Sequence, residues 1–368
     1  MKALGKKPYL LVFAVLLVVI IVGCSHESSD TTAQGEAYMR VIIDSLGREV
    51  EIPARVESIA AAGSAARLIT YAGCADKLVG VTDMDKENIV EMPYTVVNSQ
   101  DFSRLPTVGS GGSKDICYHE ELVQLKPDLV FSNMSLDTIN DLQAKTGIPV
   151  VALDYSGIFD ESVYDSLRLV GDIMGTKEHC TKVIESMRGW QEDLHNRTKD
   201  IPEEEKPTVY TGAVSFRGGR GFEGTHANYP PFTAINAKNV VDETGGDGAF
   251  MIDHEKVLVW DPEIIFLNPS NMNLVNEDYK KNPGFYDSLR AVKDGRVYTQ
   301  LPYNYNNTNI EIAIADAYYA GKVIFPDQFR DIDPKEKADE IFQRMLGQPF
   351  YENLERADLT FGVIKIGE

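Results

Sequence analysis

A short unit occurs twice in this chain of 368 residues: Leu125-Lys126-Pro127-Asp128-Leu129-Val130, and again Val259-Trp260-Asp261-Pro262-Glu263-Ile264-Ile265. In each, a helical stretch ends, a proline and an acid follow, and an apolar run begins. Proline has no N–H and pushes the residue before it out of the helical region, so the helix must stop there. The apolar run after the acid reads as a buried strand. A helix-to-strand step used in both halves constrains the chain to an α/β fold with parallel sheets, because parallel strands need a crossover and the helix supplies it.

The rest of the pattern agrees. Residues 41–53 predict a β-hairpin around Leu46-Gly47, closed by Pro53. In the first half, strands are expected at 56–62, 78–81, 129–132 and 150–153, and helices at 65–72, 119–125 and 136–146. From about Glu161 the pattern changes. Residues 163–174 are helical, Gly175 breaks the run, and 177–199 are helical again. Val183, Met187, Trp190 and Leu194 mark the buried face of that second helix, which is roughly 33 Å long at ~1.5 Å per residue. Strands at 208–213, 264–267 and 297–299 and helices at 310–324 and 335–346 complete the second half. The expected organisation is a lobe over residues 41–160, linker helices over 161–205, and a second lobe over 206–368.

The N-terminus is a different object. Residues 1–23 hold Lys2, Lys6 and Lys7 and no acid, whereas the whole chain carries a formal charge of −20. The remainder is therefore at −23. An unbroken apolar run covers residues 9–22; as a helix it spans about 21 Å, short of a ~30 Å hydrocarbon core. A basic start and a short apolar stretch predict a signal peptide over 1–23. Its end, Ile21-Val22-Gly23-Cys24, resembles a bacterial lipobox, which makes Cys24 the expected lipidation site and membrane anchor. Residues 24–40 read as a flexible tether. Cys74, Cys117 and Cys180 are odd in number and lack a CxxC spacing, which argues against a disulfide framework or structural zinc. Each is expected as a small buried apolar residue. Such an acidic body is a poor partner for nucleic acid, which is bound by neutralising phosphates.

Five segments carry a family resemblance: Asp44-Ser45-Leu46-Gly47-Arg48-Glu49-Val50, Arg55-Val56-Glu57-Ser58-Ile59, residues 122–130, Gly147-Ile148-Pro149-Val150-Val151 and Val292-Lys293-Asp294-Gly295-Arg296-Val297-Tyr298. In this order, with the lipobox-like segment and the mid-chain helix, they resemble the helical-backbone class of ABC-importer substrate-binding proteins. These are the class III periplasmic binding proteins for ferric siderophores, cobalamin and haem. The resemblance spans roughly residues 40–350. It implies two Rossmann-like lobes joined by one rigid α-helix, a ligand cleft between them and little hinge closure. It also implies an extracytoplasmic, lipid-anchored position, and a permease with its ATPase as partners. No catalytic residue and no cofactor are expected. One glutamate per lobe is implied to dock on arginines of the permease. The candidates are Glu120 and Glu255, each just before the Pro-acid step, with Glu121 as a competitor for Glu120. A solvated helix start explains the same glutamates without docking.

The residues themselves suggest where a ligand sits. In Phe216-Arg217-Gly218-Gly219-Arg220-Gly221-Phe222-Glu223-Gly224-Thr225-His226-Ala227-Asn228-Tyr229-Pro230-Pro231-Phe232, the glycine spacing imitates a dinucleotide fingerprint. That fingerprint needs a helix to start there, and Pro230-Pro231 disfavours a long one. The loop reads better as a clamp. Arg217 and Arg220 suit anionic oxygens, and Glu223, His226 and Tyr229 suit a metal or a chelator. A surface loop whose arginines pair with nearby acids is the plainer alternative. Tyr303 and Tyr305, in Pro302-Tyr303-Asn304-Tyr305-Asn306-Asn307-Thr308-Asn309, offer stacking surface, or the segment merely connects a strand to a helix capped by Thr308 or Asn309. In the first lobe, Ser64 opens a helix and Asn133 follows a strand. Residues 109–114 form a Gly-rich loop without a Walker ending. His119, His226 and His254 match no HxxxH or HExxH spacing, which argues against a catalytic zinc, and no metal ligand is assigned.

These residues predict a receptor that captures an iron–siderophore or related metal chelate. Cobalamin, haem, free metal and oxyanion remain alternatives in the same role. An enzyme on the same frame, such as a chelatase, would need a metal triad or nucleophile motif that the sequence lacks. A stalk-like adhesin would need tandem repeats or stalk-like low complexity, and the chain has no such pattern beyond the short tether.

Overall fold

A hairpin of β1 (Met39–Ile43) and β2 (Glu49–Pro53) opens the chain in this computed structural model, which describes residues 38–112 and 116–368. The expected signal peptide, Cys24 and nearly all of the tether lie outside the described residues, as does Lys114. Residues 39–40, expected in the tether, already belong to β1. Asp44 explains the hairpin's sequence. Its buried carboxylate accepts from the N–H groups of Leu46 and Arg48 and pairs with the Arg48 guanidinium at 2.7 Å. It also takes the N–H of Ala152, fastening the hairpin to the first lobe.

The first lobe is built on β3 (Ile59–Ala62), β4 (Leu78–Thr82), β5 (Thr107–Gly109), β6 (Leu129–Ser132) and β7 (Val150–Ala152), all parallel, in the order β5-β4-β3-β6-β7. The repeated Pro-acid step has a clear structural cause here. Helix His119–Leu125 ends on Lys126 in the left-handed region, Pro127 prevents continuation, and the Asp128 carboxylate accepts the N–H groups of Glu57 and Ser58, each at 2.8 Å. The acid thereby ties the start of one strand to the start of its neighbour.

Two helices lead out of this lobe. Glu161–Met174 starts on the Asp160 cap and ends at Gly175, and Lys177–Thr198 runs for 22 residues. Gly171 is needed between them, since a Cβ there would lie 2.8 Å from Cys180 Sγ. The long helix touches both lobes. His179 Nε2 meets the Tyr71 carbonyl at 2.9 Å near one end; Thr198 donates to the Ile235 carbonyl at the other. Its expected apolar face is buried throughout.

The second lobe contains β8 (Thr208–Gly212), β9 (Gly224–Ala227), β10 (Lys238–Asn239), β11 (Gly248–Met251), β12 (Ile264–Leu267) and β13 (Val297–Thr299). β10-β8-β12-β13 form a parallel sheet, and β9 pairs antiparallel with β11. The step recurs: helix His254–Trp260, Asp261 in the left-handed region, Pro262, then Glu263, which accepts the Thr208 N–H at 3.4 Å. Helix Ile310–Ile324 buries thirteen of its 15 residues. One apolar core runs from the first lobe, through the long helix, into this one. That continuity makes the lobes resist separation.

Some expectations shift. The ribbon of β9 and β11 and the short strands β5 and β10 were not foreseen. Gly219–Gly224 leads into β9 and not into a helix, which removes the structural context a dinucleotide fingerprint requires. Pro230–Ala234 forms a single turn with Pro at its start. Cys74 and Cys180 are buried as expected. Cys117 is only half-buried, with Sγ 3.5 Å from Met134 Sδ.

Candidate functional site

Parallel strands deliver their following loops to one edge of a sheet, and ligands of open α/β sheets bind at that edge. Both lobes turn this edge toward a shared cleft of about 630 Å3. From the first lobe come Gly63 and Ser64 after β3, Met84 after β4, Gly112 after β5 and Asn133 after β6. From the second come the 215–219 loop after β8 and Asn304, Tyr305, Asn306 and Asn307 after β13.

The first-lobe wall is locked by hydrogen bonds. Asn133 Oδ1 accepts the Ser64 N–H at 2.8 Å, and its amide donates to Ser64 Oγ at 2.9 Å. Gly63 sits in the left-handed region at φ 70°, and a Cβ would lie 2.4 Å from Asn133 Oδ1, so only glycine fits. Ser64, one of the ligand-contact candidates, lines the cleft; its hydroxyl meets the Tyr155 hydroxyl at 3.0 Å and makes no helix cap.

On the opposite wall, Arg217 is exposed at φ 50° with its side chain among the cleft-lining groups. It is the one charged side chain among the described residues that line this cleft. Arg220 does not share that place. Its guanidinium lies 4.8 Å over the Phe216 ring and its Nε donates to the Phe216 carbonyl. It borders, with Glu223 and Glu255, a separate polar hollow of about 800 Å3 that shares Gly219 with the cleft.

The remaining candidates divide. Tyr305 lines the cleft, half open to solvent. Tyr303 and Tyr229 are buried in the second lobe with ring centroids 5.7 Å apart, and Tyr229 packs on Phe232 at 4.9 Å. Burial pushes both phenols above their ordinary pKa. His226 lies on β9, away from the cleft lining; its Nδ1 is 2.7 Å from the Ala227 carbonyl, and burial lowers its pKa. The loop's aromatic and imidazole groups therefore build the lobe's interior, while Phe216 and Arg217 reach the cleft. Among the described residues, no three His, Cys, Asp or Glu side chains converge as metal ligands. Glu120, Glu121 and Glu255 stand exposed in the first turns of their helices.

One residue under the cleft escaped the sequence reading. Arg67 is fully buried and crosses from the first lobe to the second, donating to Asn309 Oδ1 at 3.1 Å and to the Asn306 carbonyl at 2.7 Å. Its guanidinium also stacks 4.7 Å over Tyr94. Tyr71, one turn on, donates to Glu311 of the second lobe. A lone arginine in Ala65-Ala66-Arg67-Leu68-Ile69-Thr70-Tyr71-Ala72 was the available signal. Asn309 begins helix Ile310–Ile324, but its side chain serves Arg67 and the carbonyls of Tyr303 and Tyr305 and makes no cap.

Comparison with known proteins agrees with this architecture. The family model described as "Periplasmic binding protein" matches residues 59–302. An ABC transporter substrate-binding lipoprotein of Bacillus subtilis, YvrC, itself uncharacterized, is 25% identical over 336 residues, covering 86% of this chain and 96% of its own. A periplasmic solute binding protein from Veillonella parvula superposes with a TM-score of 0.70 at 20% identity, covering 85% and 94% of the two chains. The molybdate-bound MolA of Haemophilus influenzae gives 0.64 at 19%, covering 84% and 98%. Among the described residues no helix is long and apolar enough to cross a membrane. With two parallel-sheet lobes, a helical connection and an interlobe cleft, the chain belongs to the periplasmic binding protein family, the solute-binding proteins of ABC importers.

Proposed function

We propose that this protein is the lipid-anchored, extracytoplasmic receptor of an ABC importer and captures an anionic metal chelate, foremost an iron–siderophore. The observation that carries this reading is Arg217, the single charged group among the described cleft residues of a strongly acidic chain. Around it stand neutral donors and acceptors from Ser64, Asn133 and the 304–307 asparagines, with Phe216 and Tyr305 as apolar surface. Such a lining suits a ligand that presents several oxygens and some hydrophobic bulk. Cys24 supplies the anchor, and Glu120 and Glu255 dock the loaded receptor on the permease.

A bare oxyanion is the second reading, favoured by the molybdate bound to the Haemophilus influenzae relative. The cleft volume of about 630 Å3 lies within the ~300–1,000 Å3 of organic ligand sites and is generous for one small anion. Native mass spectrometry of residues 37–368 against ferric siderophores, cobinamide, haem, nickel–histidine and molybdate tests both. The expected result is a one-to-one complex with a ferric siderophore, tighter than micromolar. Preference for molybdate selects the second reading, and no complex tighter than micromolar overturns both readings.

A further inference from the structure

Three side chains converge on the hydroxyl oxygen of Ser64, and the chemistry at their far ends fixes which way each hydrogen bond runs. Asn133 accepts the Ser64 N–H with its Oδ1, so the other end of that amide is Nδ2, which donates to Ser64 Oγ at 2.9 Å. Asn307 Nδ2 approaches the same oxygen from the second lobe at 3.4 Å. The third neighbour is Tyr155, its hydroxyl 3.0 Å away.

Arg67 sets the direction of that last bond. A guanidinium has only donors, so Arg67 Nη1 donates to the Tyr155 oxygen. Tyr155 is buried, and Ser64 is the one acceptor its hydroxyl meets among the described residues. Were the serine to donate to the tyrosine, the phenolic proton would be buried without a partner, at the desolvation cost of an unmade hydrogen bond. The tyrosine therefore donates to the serine. A serine oxygen has two lone pairs, and Tyr155 and Asn133 fill them. The serine's own proton then has no protein acceptor left, and the side chain lines the cleft.

The same guanidinium holds a second donor in place. Arg67 Nη2 donates to the Asn306 carbonyl at 2.7 Å. Asn306 lines the cleft from the second lobe, and its Nδ2 is shielded from solvent and bonded to no acceptor among the described residues. Arg67, Tyr155 and Ser64 form a chain of bonds pointing one way, starting at a fixed positive charge, and each bond polarises the next.

We propose that the first-lobe wall carries a subsite for an anionic oxygen at Ser64, a hydroxyl that Arg67 makes donor-only through Tyr155. Its occupant is an oxygen of a chelating carboxylate, catecholate or hydroxamate, or of a bare oxyanion. Arg217 faces the ligand from the other wall, so a fitting ligand presents acceptors to both lobes. An ammonium group at Ser64 is disfavoured, because the lone pairs it would need are already taken. The inference rests on the anionic-ligand reading above and deepens it by naming the first-lobe contact and what sets its polarity.

Calorimetric titration of the full-length protein in detergent tests this, with ferric citrate, a ferric tris-catecholate and molybdate as separate probes. The proteins compared are wild type, Ser64→Ala, Tyr155→Phe and the double variant. Ser64→Ala should weaken the best-bound probe about tenfold or more, the scale of a hydrogen bond to a charged group. Tyr155→Phe, which keeps the buried ring, should weaken it in the same direction. The double variant should bind no more weakly than Ser64→Ala alone, since the tyrosine acts through the serine. Losses that multiply in the double variant would show Tyr155 acting independently, and they overturn the relay. Unchanged affinity of Ser64→Ala overturns the subsite while leaving the anionic-ligand reading in place. A wild type that binds none of the three probes overturns both. The probe bound best tells chelate from bare oxyanion.

Discussion

Arg67 Nε donates to Asn309 Oδ1 at 3.1 Å across the lobe interface, and neither side chain is open to solvent. The same guanidinium reaches the Asn306 carbonyl, and Asn306 lines the cleft. Asn307 Nδ2 lies 3.4 Å from Ser64 Oγ, closing a second polar link at the cleft floor. The floor is thus a set of hydrogen bonds between lobes, laid over the apolar core that continues beneath it. A receptor built this way keeps its two walls at a fixed separation, and ligand selection falls to the side chains that line them.

Arg67→Ala should therefore destabilise the whole protein. Removing one partner of a buried charged network leaves Asn309 and the Glu311–Tyr71 pair in apolar surroundings, at a cost of about 3–5 kcal/mol. Arg67→Lys should recover part of that, because an ammonium keeps the charge but loses the planar fork. Chemical denaturation measures both. A loss under about 1 kcal/mol for the alanine variant would show that the network is incidental.

The lobes were legible because their strands are short apolar runs bounded by proline and acid, and those signals are local. Leu129–Ser132 and Ile264–Leu267 follow directly from Pro127-Asp128 and Pro262-Glu263. The β9–β11 ribbon was not legible, since its strands join without a tight turn. For the site, the 216–232 loop could be singled out by composition, but not divided. Whether an aromatic faces ligand or core depends on packing, and Tyr229 lies under Phe232 and Tyr303. The Arg67–Asn309 pair joins residues distant in sequence, where periodicity carries no information.

Arg217 and Arg220 should separate on mutation. Arg217→Ala removes the cleft's charge and should weaken binding of an anionic chelate about 10- to 100-fold, the range for a lost charged hydrogen bond. Arg220→Ala removes a brace on the loop, namely its contacts with Phe216 and with the Arg217 carbonyl, and should cost less than Arg217→Ala. Titration calorimetry with the ligand found by mass spectrometry measures the pair. Equal losses would place both guanidinium groups on the ligand.

Glu120→Ala combined with Glu255→Ala should leave ligand capture intact and reduce uptake to background. Both carboxylates are exposed and neither lines the cleft. Radiolabelled iron uptake by cells carrying the double variant reads this directly, and uptake at the wild-type rate would refute docking by these residues. Glu121→Ala serves as comparison and should change uptake little.

Asp316 gives the stability a pH dependence of unusual sign. It is fully buried on helix Ile310–Ile324, and one carboxylate oxygen accepts the Leu301 N–H at 3.1 Å while the other makes no hydrogen bond within 3.5 Å, with Gln300 the neighbouring polar side chain. Burial pushes its pKa well above the ordinary value, with the Leu301 N–H and Gln300 pulling only partly back. The folded state then keeps a proton that the unfolded state has lost. Stability conferred by this group is complete below the unfolded pKa, near 3.9, and falls as pH rises toward the folded value. Asp316→Asn keeps an acceptor for Leu301 and cannot ionise. The melting temperature of the variant minus that of the wild type should therefore grow as pH rises above about 4 and level off past the folded pKa. Parallel curves over that range would mean that Asp316 holds the same charge folded and unfolded, against what its burial requires.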